Sequence, residues 1–158
     1  MEYPGYLEEL LGVPGYYVLI LDVSENLVID TRGSRKFYLE PGLYVYIGSA
    51  RGPGGLLARI NRHLRRRKKL FWHIDYLTIR ESVHIVAVYS LVDIVDPHRD
   101  YESLLSARLM ELLEPVKGFG TSDKPRDKAH LYRCRGGLDE CLLILDKVFD
   151  EALSCRNP

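Results

Sequence analysis

Twenty-two Lys and Arg balance twenty-two Asp and Glu in a chain of 158 residues, 46% of which are apolar. That composition excludes a disordered chain and fits one globular domain able to bury a real core. No apolar stretch approaches the roughly 20 residues of a membrane span, and the acidic start (Glu2, Glu8, Glu9) lacks a signal-peptide layout. A cytoplasmic protein without a membrane partner is the expectation, and zero net charge at first argues against nucleic acid.

In chain order, residues 6–11 read as a short amphipathic helix closed by Gly12 and Pro14. Residues 16–23, rich in aromatic and β-branched side chains, predict a strand, and Ser24-Glu25-Asn26 turns it into a second at 27–30. A third strand at 35–40, a Pro41-Gly42 turn and a fourth at 43–49 follow, and the short connections predict an antiparallel meander. The glycine-rich run at 52–55 leads into a helix predicted over 56–67. Residues 72–79 are ambiguous between helix and strand, while 83–92 alternate as a central strand. Asp100 is placed to cap a helix from Tyr101 to Leu113, stopped by Pro115. Residues 117–128 read as a surface loop, ahead of a last strand at 130–134 and a helix over 138–153. The architecture is α+β, a small mixed or antiparallel sheet flanked by helices. Residues 1–14 are read as an N-terminal helical extension, 15–135 as the domain proper, and 136–158 as a C-terminal helix packing on it.

Cys134, Cys141 and Cys155 match no zinc spacing and form no even-numbered disulfide set. Reduced thiols are expected, with a Cys134–Cys141 bridge the lesser alternative. The chain has no Gln, three Asn and two Met, a depletion typical of thermophilic proteins.

The zero charge conceals an asymmetry. Arg59, Arg62, Arg65, Arg66, Arg67, Lys68 and Lys69 lie within eleven residues that contain no acid, leaving fifteen basic against twenty-two acidic groups elsewhere. Such a block is either a solvated or ion-paired helix face or a footprint for phosphates. On a helical wheel Leu56, Leu57, Ile60 and Leu64 make one apolar stripe, with Arg59 and His63 along its edge and Arg66 one turn on. An Arg–His pair is thereby placed where helix meets sheet.

Gly15-Tyr16-Tyr17 and Tyr46-Ile47-Gly48 on two strand-like segments, followed by Arg59-x-x-x-His63, resemble the GIY-YIG nuclease superfamily. Gly48-Ser49-Ala50-Arg51, Gly54-Gly55-Leu56, Trp72-His73-Ile74-Asp75-Tyr76-Leu77, Gly118-Phe119-Gly120-Thr121-Ser122-Asp123 and His130-Leu131-Tyr132 resemble an archaea-rich branch, sometimes fused to endonuclease III-type glycosylases. The resemblance implies a compact α+β fold, here with an extra hairpin inserted between Tyr17 and Tyr46. It implies that Tyr46 is the general base, that Tyr17 orients the attacking water, and that Arg59 holds the scissile phosphate. His63 would complete the network, and Glu102 would hold a single Mg²⁺ or Mn²⁺. Arg51, Arg62, Arg66, Arg67, Lys68 and Lys69 would contact DNA. The implied function is metal-dependent DNA cleavage in repair or processing, with a repair enzyme as partner and the chain a monomer or homodimer. The alternative is a non-catalytic DNA-binding accessory module, which Ser49 favours by standing where a lysine often follows the second tripeptide.

The chemistry asks for these types on its own terms. Phosphodiester cleavage needs a base, a cation for the non-bridging oxygens and a hard Lewis acid held by carboxylate. Tyrosine, with a reference pKa of about 10, serves as a base only beside a cation. Taken singly, the tyrosines could be core aromatics, Arg59 an ion-pair partner and Glu102 a first-turn carboxylate. His73 and Asp75 carry a weaker metal reading. Phe71 and Trp72, next to the basic run, are candidates for stacking on bases.

Overall fold

A computed structural model describes residues 9, 11–32, 35–92, 98–122 and 124–154 of the chain. Strands β1 (Gly15–Val23) and β4 (Gly42–Ser49) are buried along most of their length. They pair antiparallel, with Tyr17 opposite Gly48 and Leu19 opposite Tyr46. Strand β5 (Val83–Val92) flanks β1, while β7 (Leu131–Cys134) and the two-residue β6 (Glu114–Pro115) extend the sheet beyond β4. The five-stranded sheet is antiparallel throughout, in the order β5-β1-β4-β7-β6. The α+β class therefore holds.

The expected meander does not form. Strands β2 (Leu27–Asp30) and β3 (Lys36–Leu39) pair with each other as a separate two-stranded hairpin. Strand β1 is apolar on both faces and needs long partners, which β4 and β5 supply. The short hairpin has one apolar side, Leu27, Ile29, Phe37 and Leu39, and lays it on the core. Residues 83–92 also depart from expectation, because β5 is an edge strand with Val86 and Val88 exposed.

Alternation along β1 and β4 divides the core in two. Tyr17, Leu19, Leu21, Tyr44 and Tyr46 face α1 (Gly55–Leu64), α2 (His73–Thr78) and the hairpin. Tyr16, Val18, Ile20, Val45 and Ile47 face α3 (Tyr101–Leu112) and α4 (Leu138–Ser154). Asp100 caps α3 as expected, accepting from the Ser103 backbone N–H. Cys134 and Cys141 are joined in a disulfide that ties β7 to α4, correcting the expectation of free thiols. The expected helix at 6–11 falls mostly on residues outside those described, as does Cys155.

Helix α1 ends at Leu64, earlier than the apolar stripe predicts, and Leu64 itself is exposed. Arg65 is extended, and the chain turns so that the Lys68 ammonium donates to the carbonyls of Arg62 and His63. A cation on the last carbonyls is a favourable way to close a helix. The 117–128 segment is more than a surface loop, because Phe119 is fully buried in the Tyr17-side core.

Candidate active site

The ends of β1 and β4, the loop before α1, and the N-terminus of α3 meet around a cleft of about 260 Å³. Its walls include Tyr17, Tyr46, Arg51, Arg59, Trp72, Glu102 and His130. Four of the five residues expected in a reaction centre thus line one space. The fifth, His63, lies buried behind them, with its Nε2 2.6 Å from the Tyr17 Oη.

Glycine in the second tripeptide has a direct cause. Gly48 faces Tyr17 across the strand pair, and any Cβ there would strike the Tyr17 ring. The bare backbone lets the phenol lie across β4 and reach His63. The Tyr17 and His63 rings are 5.3 Å apart, and Tyr46 lies 6.4 Å from Tyr17 and 6.2 Å from His63. Burial, then the neighbouring Tyr46, pushes the Tyr17 phenol well above its ordinary value, while Arg59 pulls the other way. Burial, reinforced by Lys68, brings His63 down to about 3. At neutral pH this pair is a phenol and a neutral imidazole, which suits orientation better than proton abstraction. Tyr46 stands nearer the open side, where a base would have to be.

Arg59 projects from α1, its guanidinium 4.1 Å from the Trp72 ring centre. A cation held on an aromatic face keeps its direction while its N–H groups stay available to an anion. Trp72 holds Arg62 similarly, at 4.7 Å.

The basic run divides by role. Arg62 donates to the buried Asp75 carboxylate at 2.7 Å, and Lys68 lies 3.8 Å from it. Lys68 also donates to Thr78 Oγ1 at 2.6 Å, and burial draws its ammonium down to about 8. Arg66 donates to the carbonyls of Thr78 and Arg80 at the end of α2. These three were expected among the DNA contacts; their heads instead tie α1 to α2. Arg51 lines the cleft, while Arg67 and Lys69 are exposed.

Asp75 is the hub of that linkage. Burial pushes its carboxyl up, but the backbone N–H groups of Trp72 and Phe71, together with Arg62, more than offset this and hold it below the usual range. The His73–Asp75 metal reading is therefore corrected. The Asp75 Oδ2 takes Arg62 and two backbone amides, its buried Oδ1 has no hydrogen-bond partner and lies 3.8 Å from the Lys68 ammonium, and the His73 Nδ1 accepts from the Gly120 backbone at 2.9 Å.

Two contributors were not singled out from sequence. His130, buried on the cleft wall, binds Asp127 at 2.8 Å through Nε2, its Nδ1 lying 3.7 Å from Glu102. Lys124 lies 2.6 Å from Glu102 and 2.9 Å from Asp100. Both come from the stretch between β6 and β7, whose segments at 118–123 and 130–132 carried part of the resemblance. That patterning was the available signal. It marked the segment but not its inward side.

Among the described residues no group of three or more His, Cys, Asp or Glu is placed to hold a metal ion. A Mg²⁺-type ion does not need such a cage, since it keeps several waters and takes one or two carboxylates plus substrate phosphate oxygens. Glu102 is the carboxylate on the cleft wall and fits that demand, with Lys124 as its present counter-charge.

Residues 16–150 match the family model described as Domain of unknown function DUF123. The chain belongs to that family. No curated protein matches it, and no solved structure does. The family match spans the cleft and both cores, including the β2–β3 hairpin and most of α4. None of the described helices is long and apolar enough to cross a membrane.

Proposed function

We propose that this protein is a GIY-YIG-type, divalent-metal-dependent phosphodiesterase that cuts DNA. The observation that carries the reading is the gathering of Tyr17, Tyr46, Arg59 and Glu102 around one cleft, with His63 bonded behind Tyr17. Arg59, stiffened by Trp72, receives the scissile phosphate and meets the charge that develops on its oxygens. Tyr46, on the same cleft wall as Arg59, takes the proton of the attacking water. Tyr17, held by His63, orients that water. Glu102 would hold Mg²⁺ or Mn²⁺, which would supply Lewis-acid polarisation of the phosphoryl oxygen. Arg51 adds a phosphate contact on the cleft wall, and the exposed Arg67 and Lys69 add further ones.

A second reading rests on Lys124. Its ammonium, 2.6 Å from Glu102, already neutralises the proposed metal carboxylate. That arrangement favours a DNA-binding accessory module that keeps the cleft without the chemistry. Incubating duplex, branched and gapped DNA with the protein in Mg²⁺ or EDTA separates the two. Metal-dependent cutting that Glu102→Ala abolishes is expected. Binding that falls steeply with salt, with no cutting in any metal, would replace the enzyme by the accessory module.

A further inference from the structure

The cleft does not end at Tyr46. A second hollow of about 470 Å³ shares Tyr46, Trp72 and Gly120 with it. A third, of about 480 Å³, shares Thr31, Arg32, His73 and Ser122 with the second. Together they make one groove, running from the cleft along α2 to Thr31 and Arg32 after β2 and Arg35 before β3.

Three features of this groove point to one kind of occupant. Phe71 stands on its middle wall with Trp72 and Tyr76, and it is 75% exposed, an apolar ring offered to solvent beside a polar channel. The outer end presents Arg32, Arg35 and Lys128, none of which has a carboxylate within ion-pair distance among the described residues. Among the described residues the carboxylate that lines this outer end, Asp127, is committed to His130.

The outer wall is also built in place. Gly118 has φ +81°, and a side chain there would run into the Arg35 guanidinium. The Tyr76 hydroxyl accepts from the Arg32 backbone N–H, joining hairpin to α2. The hairpin that separates from the sheet thus serves as one side of the channel.

An aromatic ring between phosphate-seeking cations is what an unstacked nucleotide requires, whereas paired bases in a duplex have no free face to give it. Resting on the proposed phosphodiesterase reading, we infer that the groove binds a single-stranded segment of the substrate. One base stacks on Phe71 and the adjoining phosphate lies at Arg32, so the substrate class is DNA with unpaired nucleotides beside the scissile bond. Gapped, flapped and frayed ends belong to that class; a continuous duplex does not.

Fluorescence anisotropy with a labelled 20-nucleotide dT strand and a labelled blunt duplex tests this, using the full chain and Phe71→Ala, Phe71→Tyr and Arg32→Ala. Both positions are exposed, and thermal melting checks that each variant is folded. Phe71→Ala should lose roughly fivefold or more in strand affinity with an unchanged salt slope, and Phe71→Tyr should restore it. Arg32→Ala should reduce the salt slope for the strand by about one. Duplex binding should be unaltered in all three. Equal weakening on strand and duplex would overturn the inference, as would displacement of the strand by polyglutamate as readily as by an oligonucleotide of equal charge. In either case metal-dependent cutting of the duplex would leave the phosphodiesterase reading intact. Failure of the wild type to bind strand or duplex would instead remove that reading, and the inference with it.

Discussion

Tyr16 and Tyr17 follow one another on β1 and are equally buried, but the pleat sends them to opposite faces of the sheet. Tyr16 enters an apolar layer, tilted on Tyr101 at 5.6 Å, and its hydroxyl donates to the Arg99 carbonyl and accepts from Arg51 at 3.4 Å. Tyr17 enters a layer where Asp75, His63 and Lys68 are buried among the hydrophobic groups, and its hydroxyl meets an imidazole. The Tyr16 side is closed by two long helices and a disulfide. The Tyr17 side is closed by short elements held together through ions, and it opens at Arg59 and Tyr46. Residue type does not separate the tyrosine of the closed layer from the tyrosine of the cleft. Strand parity and the charges across the way do.

The contrast is tested most strongly at Asp75. Asp75→Ala leaves Arg62 and Lys68 without their counter-charge and should cost about 3–5 kcal/mol in urea unfolding. A loss under 1 kcal/mol would mean that the ionic linkage is dispensable and that the two faces are held alike.

Most of the strand layout was legible because β1 and β4 are bounded by clear turn residues and are too apolar for any surface role. The ionic hub was not. Periodicity carried α1 on to residue 67, since nothing local in Arg65-Arg66-Arg67-Lys68 says that Asp75, on the next helix, will draw Lys68 back across the helix end. The same blindness placed Arg62, Arg66 and Lys68 on a DNA-facing surface. Tyr17, Tyr46 and Arg59 were found from the paired tripeptides and the Arg–His spacing, and Glu102 only from what the resemblance implies of the later helix. Lys124 and His130 were missed because their parts depend on how the 117–130 segment folds over Glu102, a long-range event.

A smaller effect sharpens the comparison through pH. His63 is held near 3 in the fold against an ordinary 6.5, so between these values the unfolded chain binds the extra proton. The stabilisation is complete above pH 6.5 and is lost as pH falls toward 3, by about 2 kcal/mol between pH 7 and 5. His63→Gln should flatten that part of the stability profile relative to wild type. An unchanged slope would mean that the buried imidazole on the Tyr17 side does not set the pH dependence in this range. Smaller still, Tyr16→Phe removes the bond to the Arg99 carbonyl and the one from Arg51, and should cost about 1 kcal/mol in urea unfolding.

The most direct test of the division is single-turnover cleavage of gapped DNA in Mg²⁺ by the wild type, Tyr46→Phe, Tyr17→Phe and Tyr16→Phe. Loss of the base should slow Tyr46→Phe by about 10²–10⁴-fold. Tyr17→Phe should be slowed as well, and by more than Tyr16→Phe, whose hydroxyl reaches the cleft only through Arg51. Wild-type cutting by Tyr46→Phe, or equal slowing of Tyr16→Phe and Tyr17→Phe, would contradict the account.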